Sequence, residues 1–287
     1  MIDALLNFDF VRYSLISGLL IGFVAPLIGA FIVVRRLSLI ADALSHVTLG
    51  GISFGMFLIT VVPAVAFINP MWFGILYAVV GALLIEKLRT SYSNYQEIAI
   101  PIIMSAGIAL SAIFISLADG FNQEIIGLLF GSISAVTLSD TITILIITLI
   151  VVIFILSLYK ELFLLSFDEE YSAVIGIPKW IQFLFIVIVA MVISASMRVV
   201  GILLVSALIT LPVAISLRLT KAFKQLILLS IVIGEIAVIA GLVLAFYLNL
   251  SPGGVIVILL VLGLALVMLI QKVRSHSVKG VKTHEDR

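Results

Sequence analysis

Asp42 and His46 are the only ionisable residues between Arg36 and Val62, in a stretch that is otherwise mostly apolar. If that stretch is helical, the i,i+4 spacing puts both side chains on one face, one turn apart. A carboxylate oxygen and an imidazole nitrogen so placed can grip one divalent cation together. The competing use of such a pair is to hydrogen-bond and pin two helices. Ser38, Ser45 and Ser53 lie close to the same stripe, so the polar side chains share a side instead of scattering.

The elements that must position this pair lie in a membrane. Of the 287 residues, 63% are hydrophobic and 11% are charged, and mean hydropathy is +1.39. A soluble chain is usually about a quarter charged. The net charge of +1 points away from nucleic acid. With no cysteine, disulfides and thiolate metal sites are excluded. The first residues lack a basic segment and a small-residue cleavage site, so the apolar run after Arg12 is expected to be a retained span.

A bilayer core of about 30 Å needs roughly 20 apolar residues per helix. On that criterion the chain divides into about nine spans, near 11–34, 37–60, 71–88, 99–118, 139–159, 179–197, 199–217, 224–248 and 253–271. The expected fold is therefore all-α and polytopic, one transmembrane domain over 1–271 with a basic tail at 272–287. The seventh span follows the sixth almost without a loop and carries Pro212, Ser206 and Thr210. A broken or re-entrant helix there, with eight full spans elsewhere, suits the sequence nearly as well.

Basic residues set the orientation. Arg35, Arg36, Lys87, Arg89, Lys160, Lys179, Arg218, Lys221, Lys224 and the tail fall at one set of junctions. Asp3, Asp9, the Asn69-Pro70 loop, the 119–140 region and Asn249-Leu250-Ser251-Pro252 fall at the other. Arg12 and Arg198 are exceptions, the second read as interfacial. The N-terminus is expected outside and the C-terminus in the cytoplasm. His46 lies ten residues past Arg36, roughly 15 Å along a helix, which places it close to the midplane. Glu235 should also sit near mid-depth. There it is either part of an ion path, as a third metal-ligand candidate, or a protonated carboxyl bonded to a neighbouring helix.

Two connections carry structure of their own. A short outer helix is expected around residues 125–132. On the inner side, Asp168 can cap a helix whose first turn carries Glu169 and Glu170, and Gly176 ends it just before Pro178. Ala173, Val174 and Ile175 give that helix a small apolar surface. Gly18 with Gly22, and Gly51 with Gly55, are small-xxx-small pairs suited to close helix packing. Asp42-Ala43-Leu44 and Ser206-Ala207-Leu208 form a faint echo on oppositely directed spans, the arrangement of an inverted repeat. No catalytic signature exists: there is no GxxxxGK[ST], no HExxH, and no GxSxG with a plausible triad.

The run Pro26-Leu27-Ile28-Gly29-Ala30-Phe31-Ile32-Val33-Val34-Arg35-Arg36-Leu37-Ser38-Leu39-Ile40-Ala41-Asp42-Ala43-Leu44-Ser45-His46 resembles the signature of the ABC-3 family. These are the permeases of bacterial ATP-binding-cassette importers for zinc and manganese. Further matches are Leu129-Phe130-Gly131-Ser132, Phe167-Asp168-Glu169-Glu170-Tyr171 through Gly176, Val200-Gly201-Ile202 through Leu208 with Pro212, and Pro252-Gly253-Gly254. Leu49-Gly50-Gly51 stands where many members have Leu-Pro-Gly. The resemblance implies a homodimeric, type II-like importer permease in the bacterial cell membrane, not an enzyme and with no permanently bound cofactor. Its implied partners are two ATPase subunits and an extracellular metal-binding protein. The family's metal ligands fall on Asp42 and His46, and its ATPase-coupling loop on 167–178, including Asp168, Glu169, Glu170, Ala173 and Gly176. The wording of the signature looks most like the zinc branch, with manganese as the alternative. A proton-coupled carrier using Asp42, His46 and Glu235 is the rival from another class.

Overall fold

The structure is a computed structural model that describes residues 7–92, 95–118 and 123–285. The side chains of 123–124, 169–170, 173 and 274–285 lie outside that description. Twelve α-helices and no strand occur among the described residues: α1 (Asp9–Val34), α2 (Leu39–Val61), α3 (Pro70–Ser91), α4 (Ala99–Leu117), α5 (Gln123–Phe130), α6 (Leu138–Ser157), α7 (Tyr159–Phe167), α8 (Glu169–Ile175), α9 (Lys179–Val200), α10 (Ile202–Leu219), α11 (Phe223–Leu248) and α12 (Pro252–Glu285). Nine of them are long and apolar enough to cross a bilayer, α4 together with the turn before it and α12 as far as Val273. The seventh span is one unbroken helix with Pro212 inside it. The backbone from 272 onward, expected as a tail, continues α12 to Glu285.

The ends of these helices follow local chemistry. Asn69 Oδ1 accepts from the Met71 amide at 3.0 Å, with Pro70 as the first helical residue of α3. Thr137 and Asp140 form a reciprocal capping box at the start of α6. Asp140 then reaches across the bundle: Arg198, at the end of α9, donates to Asp140 Oδ2 at 3.3 Å and to Asn69 Oδ1 at 3.5 Å. Arg198 is thus more than an interfacial anchor. It ties α3, α6 and α9 together at the end of the bundle opposite the basic junctions. The other exception, Arg12, pairs with Asp9 one turn before it. Neither arginine is an isolated charge at that end.

Helices α1 and α9 form the buried centre, and α12 lies at the rim. Gly18 and Gly22 face Val238 and Leu242 of α11. Gly51 and Gly55 face Phe73 of α3. Both glycine pairs therefore serve helix packing, because any side chain there would hold the neighbouring helix away.

Gly201 is the whole connection between α9 and α10, with φ +89° and ψ 149°. Only glycine takes that conformation readily. Gly131 and Gly253 converge on the same point. A Cβ on Gly201 would sit 2.5 Å from the Gly131 amide nitrogen, one on Gly131 2.4 Å from the Val199 carbonyl oxygen, and one on Gly253 1.8 Å from the Val200 carbonyl oxygen. The Ser132 amide also donates to the Arg198 carbonyl at 3.2 Å. Three motifs far apart in sequence thus meet as bare backbone in one joint. Gly201→Ala should destabilise the protein by about 1–3 kcal/mol from backbone strain alone, with steric cost added. Gly127→Ala, where the nearest contact is 3.6 Å, should be tolerated. Melting temperatures in detergent test this, and equal losses would remove the joint's special status.

Candidate metal site

Asp42 and His46 are presented by α2, which packs against α3, α4, α9 and α10. Two neighbouring residues fix the rotation of that helix. Val47 is clamped between Gly81 of α3 and Gly107 of α4, where a Cβ would come within 2.9 Å of Val47 Cγ1 and 2.7 Å of the Val47 amide nitrogen respectively. Thr48 Oγ1 lies 3.2 Å from Ser194 Oγ of α9. With that side of α2 buried, Asp42 and His46 share the half-buried face that remains.

Neither side chain has a hydrogen-bond or ion-pair partner among the described residues. The helix-pinning use of the pair finds no bond to support it. What is left is one carboxylate and one imidazole on adjacent turns with their lone pairs uncommitted. The serines do not join them. Ser45 is buried and donates to the Ala41 carbonyl at 2.8 Å, and Ser53 is buried without a partner among the described residues.

The helical distance from the basic junction to the pair differs from the expectation. Residues 35–38 form a turn, so the helical count starts at Leu39 and not at Arg36. His46 is then about 10 Å into α2 at ~1.5 Å per residue, in the half nearer the basic junctions.

Glu235 is elsewhere. It lies on α11, which packs against α1, α10 and α12, and its Oε2 would be 3.3 Å from a Cβ on Gly22. Oε2 is buried with no hydrogen-bond partner among the described residues. No group of three His, Cys, Asp or Glu residues that could hold a metal ion exists among the described residues. Among the described residues, Asp42 and His46 are therefore two adjacent candidate donors without a third His, Cys, Asp or Glu beside them.

The 167–178 loop folds as its punctuation suggests. Asp168 Oδ1 accepts from the Tyr171 amide at 2.8 Å, capping α8. Gly176 has φ +85°, and the Ile177 amide donates to the Ser172 carbonyl at 3.0 Å, which is a Schellman end. Tyr171, Val174 and Ile175 are exposed, Val174 at 83%. Side chains of Glu169, Glu170 and Ala173 lie outside the described residues.

One feature had no simple sequence signal. Phe223, at the start of α11, lies 5.4 Å and 5.5 Å from the rings of Phe163 and Phe167 of α7, and 5.1 Å from Phe31 of α1. Edge-to-face contacts thus join the α7–α8 segment to the centre of the bundle. Aromatics spread over nearly two hundred positions reveal such a cluster only once the helices are assembled.

Comparison with known proteins completes the description. The profile of the ABC 3 transport family matches residues 7–272. The chain is 30% identical over 271 residues to a "Probable metal transport system membrane protein" of Treponema pallidum, covering 94% of this chain and 98% of that one. It is 30% identical over 258 residues to the "Manganese transport system membrane protein MntC" of Listeria monocytogenes, covering 90% and 89%. Among solved structures, a chain of PsaBC from Streptococcus pneumoniae in complex with Fab superposes with a TM-score of 0.80 at 27% identity, covering 93% of each chain.

Proposed function

This chain belongs to the ABC 3 transport family, and we propose that it is the permease subunit of an ABC importer for a divalent metal ion, zinc in our reading. The observation that carries the reading is the uncommitted Asp42–His46 pair on one half-buried face of α2. Two copies of the chain, brought together across that face, would supply two carboxylates and two imidazoles. Each copy alone holds only two donors, short of the four that close a structural zinc site, so a shell split between two copies can open when they move apart, which suits passage better than storage. Imidazole nitrogen favours zinc, whereas manganese favours oxygen donors. The second reading is manganese, favoured by the name of the Listeria relative.

In this scheme two ATPase subunits bind at the basic end, which faces the cytoplasm of a bacterial cell. An extracellular binding protein delivers the ion at the opposite end, where the N-terminus lies. The chain itself carries no hydrolytic chemistry. The testing experiment is uptake by cells co-expressing the permease and its ATPase, with a panel of divalent ions. We expect zinc uptake that stops when ATP is depleted while the proton gradient is maintained. Uptake that survives ATP depletion would place the chain among proton-coupled carriers.

Glu235 receives a separate role because it is not beside the pair. A buried carboxylate oxygen without a partner is costly inside a span, which supports a functional use for it here. Glu235→Gln keeps the shape and removes the charge. It is expected to slow uptake or shift its pH dependence while thermal stability holds or rises. A rate unchanged across pH would assign the carboxyl to helix packing.

A further inference from the structure

We infer that the hydrogen bond between Gln182 and Glu86 passes the movement of α8 to the helix that carries the metal pair, which makes these two side chains positioning residues for ATP-driven import. The inference rests on the reading of the 167–178 loop as the ATPase-coupling element.

The link from α8 to α9 is short and stiff. Gly176, Ile177 and Pro178 alone separate the two helices. Backbone bonds close both sides of that link: the Ile177 amide donates to the Ser172 carbonyl at 3.0 Å, and the Ile181 amide donates to the Pro178 carbonyl at 3.1 Å. The ring of Pro178 fixes its φ, here −64°. So little slack remains that a displacement of α8 arrives at the first turn of α9. Gln182 is the fourth residue of that helix. Its neighbour Ile181 and the next residue on the same side, Phe185, are each 2% exposed, so the turn is sunk in the core.

From there the connection is polar and directional. Gln182 Nε2 donates to Glu86 Oε1 of α3 at 2.9 Å. Glu86 Oε2 stands 3.4 Å from Arg89 Nη1, the two side chains being 24% and 8% exposed. Arg89 in turn donates to Gln96 Oε1 at 3.1 Å, in the turn before α4. A bond to a carboxylate is stronger than one between neutral groups, and burial keeps water from replacing it. At the opposite end of the same two helices Arg198 of α9 donates to Asn69 Oδ1, the cap of α3, at 3.5 Å. Helices α3 and α9 are thus tied at both ends and form one strut.

The strut bears directly on α2. A Cβ on Gly81 of α3 would come within 2.9 Å of Val47 Cγ1, and one on Gly74 within 2.6 Å of Ile52 Cγ1 and 3.0 Å of Thr48 Cγ2. Backbone this close leaves α3 no room to slide without carrying α2 along. Val47 and Thr48 follow His46 immediately in the chain. Energetic coupling between distant sites travels through such chains of packed and bonded groups. The Phe223 cluster joins α7 to α1; the Gln182–Glu86 bond joins α8 to the helix that holds the pair.

The test measures ATP hydrolysis and metal uptake together, in vesicles that hold the permease with its ATPase and with the ion that the wild-type complex transports. Gln182→Glu sets two carboxylates against each other. It should lower the number of ions imported per ATP hydrolysed about tenfold, the value of a hydrogen bond to a charged group. ATPase association and metal binding by the permease should stay as in the wild type. Gln182→Met keeps the length, removes the donor and should uncouple without the added repulsion. Combining Glu86→Gln with Gln182→Glu restores a bond of reversed polarity and should recover most of the wild-type ratio, a rescue that loss of packing alone would not give. A wild-type ratio in both Gln182 variants would overturn the inference, and so would a double variant no better coupled than Gln182→Glu. Where Gly176→Val uncouples and Gln182→Glu does not, the loop reading stands and only this link falls; where neither uncouples, both fall.

Discussion

Asp42→Asn and His46→Ala should each lower zinc uptake at least ~100-fold, since even outer-shell partners of metal ligands typically cost ~10–100-fold when removed. The asparagine keeps the shape of the side chain and deletes only the charge that attracts the ion. The alanine deletes the one nitrogen donor on that face. Both residues are half-buried and bonded to no other described residue, so neither substitution breaks a hydrogen bond or ion pair among the described residues. Insertion into the membrane and association with the ATPase should therefore be unchanged, which separates loss of the site from loss of the fold. If the dimer supplies the shell, mixing wild-type with His46→Ala protomers should give intermediate activity per dimer. Wild-type uptake by either variant would remove the assignment.

That Asp42 and His46 share one helix face could be read from the sequence because the evidence for it is local. An i,i+4 pair on a helix needs only the helix, and α2 follows from length and hydropathy. The ends of α8 were legible for the same reason: Asp168 and Gly176 act within a few residues of themselves. Long-range features were not legible. Arg198 seemed an interfacial anchor because nothing near it in sequence reveals Asp140 or Asn69. Gly131, Gly201 and Gly253 carried a family resemblance but no hint that their backbones touch. The helical distance from Arg36 to His46 was overcounted because residues 35–38 form a turn, and they take up chain length without the helical rise that separates His46 from Leu39.

Gly176→Val should uncouple the permease from its ATPase without affecting metal binding. The φ of +85° is one that a β-branched residue adopts only with strain of about 1–3 kcal/mol. No atom lies within 4 Å of the position a Cβ would take, so the cost is confined to the backbone. Helix α8 is only seven residues long, and the Ile177–Ser172 bond at its end is a large part of what defines it. Disturbing that end changes how Val174 and Ile175, 83% and 55% exposed, meet a partner. Val174→Asp attacks the same surface by charge and leaves the backbone alone. Both variants should lose ATPase association and ATP-driven uptake together, while zinc binding by the isolated permease persists. Phe223→Ala provides the complementary case. It removes the ring that joins Phe167 to Phe31 without touching the exposed surface. Association should then survive and uptake should fall, because the loop docks but no longer pulls on α1. If Gly176→Val and Val174→Asp both bind the ATPase normally, this loop is not the coupling element.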